Sequence, residues 1–94
     1  MVIEYNDFIS FCGALLGRQI PTIGKRSHFT VLSVNVDRIG YKISTGNPRY
    51  TERVRIQKVL DRYEKTHSFK VKDYSDFTWA SSYTLSLVKL YLEK

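Results

Sequence analysis

The sequence predicts an α+β fold, and three observations carry it. Apolar residues recur at helical spacing near the N-terminus, over 51–65 and over 76–94. Between the first two segments, "HFTVLSVNV" (28–36) and "IGYKIS" (39–44) alternate with period two. Glycine, proline and asparagine punctuate the joins. The expected order is an N-terminal helix, an antiparallel β-hairpin with a short third strand at Arg49 and Tyr50, then two C-terminal helices packed on the sheet. The 94 residues, which begin at methionine, read as one small domain.

The first helix rests on Tyr5, Phe8, Ile9, Cys12, Leu15 and Leu16, which share one face. Asn6 suits its N-cap, and Gly17 suits a left-handed stop. "RQIPTIGKRS" then reads as a basic connector broken by Pro21 and Gly24.

In the first strand, Thr30, Leu32, Val34 and Val36 are expected to face the core, against Phe29, Val31, Ser33 and Asn35. Asp37 and Arg38 turn the chain, and Ile39, Tyr41 and Ile43 point inward on the return. "TGNP" (45–48) is the next turn.

The second helix presents Ile56, Val59, Leu60 and Tyr63 as a narrow apolar stripe. Phe69, Val71 and Tyr74 anchor the polar connector after it, and His67 suits the helix C-terminus. The last helix is apolar nearly all round, with a cap at Ser75 or Asp76. Trp79, Tyr83, Leu87 and Tyr91 lie on one face, and Leu85, Val88 and Leu92 lie on the other. Such a helix is either wrapped by its own chain or covered by a second copy.

Composition narrows the function. Fifteen Lys and Arg against nine Asp and Glu give a net charge of +6. A positive field attracts polyanions, so nucleic acid, an anionic membrane surface or an acidic protein fits. The single cysteine, Cys12, sits on the apolar stripe and reads as a small buried hydrophobe. The absence of a cysteine pair suits a reducing cytoplasm. No apolar run approaches the ~20 residues of a membrane span, and the N-terminus lacks the features of a signal peptide.

Catalytic and metal chemistry find little here. "GKRS" (24–27) lacks the four-residue glycine spacing, the hydroxyl after lysine and the following helix of a phosphate loop. His28, His67 and Cys12 fall in separate elements, short of a four-ligand metal site. No nucleophile sits beside a base. The expectation is a non-enzymatic protein without metal or cofactor.

The cations are the remaining signal. Arg55, Lys58, Arg62 and Lys65 form one stripe on the second helix, with Asp61 and Glu64 on the other flank. Lys25, Arg26 and Arg49 extend the excess, and Tyr41 and Tyr50 lie near cations as candidate stacking rings. Two readings follow. One is a small basic DNA- or RNA-binding module that contacts phosphates through the helix stripe and Lys25, Arg26, Arg49 and Tyr50. In it, a homodimer forms through Trp79, Leu85, Val88 and Leu92. The other is a protein-interaction or regulatory module that uses the apolar C-terminal helix. A weaker third is a small-molecule pocket at Phe29, Trp79 and Tyr83.

Overall fold

A computed structural model describes residues 3–23, 27–43, 46–74 and 81–93. Helix α1 (Tyr5–Gly13) leads into strand β1 (Gln19–Pro21), followed by β2 (His28–Val34), β3 (Arg38–Ile43) and β4 (Pro48–Glu52). Helix α2 (Arg53–Thr66), a 3-10 turn at Val71–Tyr74 and helix α3 (Ser81–Glu93) complete the chain. The strands form one antiparallel sheet in the order β1-β2-β3-β4. The fold is α+β, with the expected helices and hairpin. The strand expected near Arg49 and Tyr50 forms as β4. Strand β1 is an addition within the expected connector, since a run of three residues shows no period.

Helix α1 is capped two residues earlier than expected. Glu4, not Asn6, caps it, accepting from Asp7 N at 2.8 Å. Gly17 does adopt a left-handed backbone, φ 78°, and its N–H donates to Val31 O. Only glycine enters that region without steric cost, so the chain turns here into β1.

The β2–β3 turn links three elements. Asn35 Oδ1 accepts from Asp37 N and Arg38 N. Asp37 O accepts from Arg53 N at 2.7 Å, which satisfies a first-turn donor of α2 that no side chain caps. Tyr5 Oη donates to Val36 O, and the Arg53 guanidinium lies 4.6 Å from the Tyr5 ring centre. At the other end of α2, His67 takes a left-handed conformation and its backbone N–H donates to Tyr63 O. Its imidazole stacks on Tyr63 at 5.5 Å.

One expectation about β2 is overturned. Phe29 and Val31 face the core and are buried, while Leu32 is 46 % exposed. The register pairs Phe29 with Ile43 and Val31 with Tyr41, then shifts so that Ser33 opposes Gly40 and Val34 opposes Ile39. A bulge at Leu32 therefore puts Val31 and Val34 on the same side. Period-two parity fails at such an insertion, because one extra residue exchanges the faces.

The core lies between the inner sheet face and the helices. Phe8 and Cys12 of α1, Ile56 and Leu60 of α2, and Leu87 and Val88 of α3 pack on Phe29, Val31, Ile39 and Tyr41. Val59, Tyr74 and Leu85 form a second cluster, with Phe69 and Val71 at its margin. Helix α3 is thus wrapped by its own chain: Thr84 through Val88 are all buried. Among the described residues, no helix is long and apolar enough to cross a membrane.

Candidate nucleic-acid interface

Among the described residues, all three helices pack on the side of the sheet that carries Phe29, Val31, Ile39 and Tyr41, and none covers the outer face. Alternation assigns Gln19, His28, Thr30, Leu32, Ser33, Arg38, Gly40, Lys42, Pro48, Tyr50 and Glu52 to that face. An antiparallel sheet tolerates one wet face, provided its side chains are suited to water.

Tyr50 is the centre of this face. It is 48 % exposed and pairs across the strands with Gly40. A Cβ at position 40 would lie 3.0 Å from Tyr50 Cε1 and 3.1 Å from Cδ1, so the ring rests its edge on the glycine. The Arg38 guanidinium carbon sits 4.5 Å from the ring centre, within cation–π range. Arg38 and Lys42 flank Gly40 along β3. Arg38 covers one ring face, and Lys42 lies on the far side of Gly40 from Arg38 along β3. Glu52, opposite Arg38 in the register, marks the border of the face.

Beyond Lys42 the face dips. Gln19, Thr30 and Lys42 are register neighbours across three strands. With His28, Phe29, Ile43 and Gly46 they line a hollow of about 240 Å³.

The expected helix stripe is divided. Arg55, Lys58 and Lys65 are exposed. Arg62 is half-buried and donates from Nη1 to Asp73 O at 2.6 Å, tying α2 to the 3-10 turn. Ser68 Oγ donates to Asp73 Oδ2, and Tyr74 Oη donates to Ser68 O. Arg62 is thus part of the scaffold that holds this connector.

Arg49 and Tyr50 do not share a patch. They are adjacent on β4, so the pleat sends them to opposite faces. Arg49, paired with Tyr41, turns to the helix side and donates from Nη1 to Pro48 O. Tyr41 is no stacking ring: it is fully buried, with its hydroxyl donating to Thr51 Oγ1 at 2.9 Å. Burial pushes that hydroxyl up to about 12, the Thr51 hydrogen bond opposing. Thr84 Oγ1 lies close to it, yet has no hydrogen-bond partner of standard geometry. Lys25, Arg26 and Trp79 lie outside the described residues.

The dimer face expected on α3 is also corrected. Leu85 and Val88 are fully buried within the chain, and Leu92 is half-buried against the same core. The last helix therefore has no free apolar face at those positions. What apolar surface remains there borders a groove of about 440 Å³ between α1, β1 and α3, lined by Phe11, Leu15, Ile20 and Leu90. Phe29 and Tyr83, candidates for a ligand pocket, instead meet edge to face at 5.1 Å.

Cys12 is buried, and burial pushes its thiol up to about 12, as an inert core residue requires. Among the described residues, no three His, Cys, Asp or Glu side chains converge as metal ligands. No protein-family model, curated protein or solved structure matches the chain.

The open face was partly readable. In "RIGYKI" (38–43) alternation separates Arg38, Gly40 and Lys42 from Ile39, Tyr41 and Ile43. What no local pattern shows is that Tyr50 crosses to rest on Gly40.

Proposed function

We propose that the protein is a small, non-enzymatic, single-strand nucleic-acid-binding module of the cytoplasm. Its contact surface is the open sheet face. The observation that carries this reading is Tyr50, half-exposed, seated on Gly40 and held on one side by Arg38. A positioned ring with one accessible face offers a stacking platform to an unpaired base. Such stacking is worth about 1–3 kcal/mol per base and tolerates any sequence. Arg38 and Lys42 bring positive charge to either side, and the net charge of +6 supplies the longer-range attraction. Arg55, Lys58 and Lys65 add to that attraction from the helix layer.

The test is fluorescence anisotropy with labelled single-stranded and duplex oligonucleotides. Wild type is expected to prefer the single strand. Tyr50→Ala should lower that affinity about tenfold, and Tyr50→Phe should retain most of it. Replacing Arg55, Lys58 and Lys65 by glutamate should weaken single strand and duplex alike, less so at high salt. No binding by wild type at low salt, or Tyr50→Ala binding as tightly as wild type, would overturn the proposal.

A further inference from the structure

We infer that the hollow between Gln19, His28, Thr30, Lys42 and Gly46 is a phosphodiester subsite for the strand whose base stacks on Tyr50. This rests on the nucleic-acid reading above and extends it to a second contact. Three observations lead here. Arg38 occupies one face of the Tyr50 ring, so a stacked base takes the other, and Lys42 lies across Gly40 from Arg38 on β3. The backbone of the stacked nucleotide then runs over the row Lys42, Thr30, Gln19, which crosses three strands. At the strand spacing of about 4.8 Å, that row begins one strand away from Tyr50, within reach of the sugar-phosphate of a stacked nucleotide.

The chemistry of the lining fits an anion. Lys42 brings a full charge, Thr30 a hydroxyl, Gln19 an amide and His28 a ring nitrogen, all capable of donating. Among the described residues, no acid lines the hollow. The groove on the far side of β1, by contrast, carries Arg18 and Glu93 together, so its lining has no net positive charge. The side chains that face the hollow by alternation, Gln19, His28, Thr30 and Lys42, are all polar. The hollow suits one tetrahedral group with part of its sugar, not a flat base.

The experiment uses a strand with a single thymine flanked by abasic sugar-phosphates, so that Tyr50 fixes the register. Each linkage in turn is replaced by a neutral methylphosphonate, and binding is read by anisotropy across a salt series. With wild type, one position beside the thymine should lose about tenfold in affinity, as expected for a charge-assisted contact. Lys42→Ala should show the same loss with the natural strand and no further loss with the modified one. Its salt slope should fall by about 0.7, one single-strand phosphate. Lys42 is exposed, so its removal leaves the fold intact. Equal losses in both proteins, or Lys42→Ala binding like wild type, would overturn the subsite. If Tyr50→Ala still weakens binding in that case, the subsite alone falls. If Tyr50→Ala also binds like wild type, the parent reading falls with it.

Discussion

The Tyr50 ring stands on Gly40: a methyl group at position 40 would come within 3.0 Å of Tyr50 Cε1 and 2.6 Å of Ser33 Oγ. Glycine in a strand interior is unfavourable in itself, so its presence here reflects what lies above it. Gly40→Ala should therefore displace the ring. The expected cost is about 1–2 kcal/mol in urea unfolding, because the added methyl overpacks the contact. Single-strand affinity should fall as well. Gly40→Ala combined with Ser33→Ala relieves the closer clash and should recover part of the stability but not the ring position.

Arg62 separates structure from surface charge. Arg62→Ala removes the hydrogen bond to Asp73 O and should cost about 1–2 kcal/mol by thermal or urea unfolding. Arg55→Ala and Lys58→Ala, both at exposed positions, should stay within about 0.5 kcal/mol of wild type. Similar losses for all three would mean that Arg62 has no special scaffold role.

The buried hydroxyls around Tyr41 are unequal. Thr51 accepts from the Tyr41 hydroxyl, whereas Thr84 Oγ1, close to the same hydroxyl, makes no hydrogen bond of standard geometry. Thr51→Val should destabilise by about 1–3 kcal/mol, since it orphans a buried donor. Thr84→Val keeps the shape and removes a buried polar group that makes no such bond, so it should be neutral or stabilising by about 1 kcal/mol. Urea midpoints decide between these signs.

Alkaline stability follows from Tyr41 and Cys12. The unfolded chain loses these protons near 9.0 for the thiol and 10.0 for the phenol, while burial holds both to about 12 in the folded state. Between those values the folded state binds more protons, so stability falls as pH rises. Below about pH 9 the contribution is complete; it is lost progressively up to about 12. The Tyr41 share is on the order of 3 kcal/mol. Cys12→Ala should delay the onset of that loss from about pH 9 to about pH 10, as read by melting temperature against pH.

Much of the fold was legible because it is written locally. The stripe Ile56, Val59, Leu60 is buried as its spacing implies, and Ile39 and Tyr41 point inward as alternation implies. What escaped is non-local. The bulge at Leu32 is defined by its partner strand, so the identity of residues 28–36 could not reveal which face they bury. The burial of Leu85 and Val88 depends on the inner sheet face and on Tyr74, which arrive from distant parts of the chain. The helix stripe was found, but the hydrogen bond that removes Arg62 from it forms with Asp73 on the following connector. The Tyr50 platform belongs to the same kind: it needs Gly40 from another strand.

The two prolines of the chain sit on the two outer strands, Pro21 on β1 and Pro48 on β4. Thr22 N donates inward to Ser27 O and Ile43 N to Asn47 O. By the alternation of the ladder, positions 21 and 48 then face outward, where proline leaves no N–H to offer. Each rim of the sheet thereby carries a built-in refusal to add another strand. Proline at each rim disfavours edge-to-edge pairing between copies of the sheet. On the reading proposed above, molecules spaced along a long single strand would occupy it independently, each with its own stacking ring. Occupancy would then rise with concentration as a simple non-cooperative isotherm, without the abrupt filling that neighbour-to-neighbour sheet contacts would give.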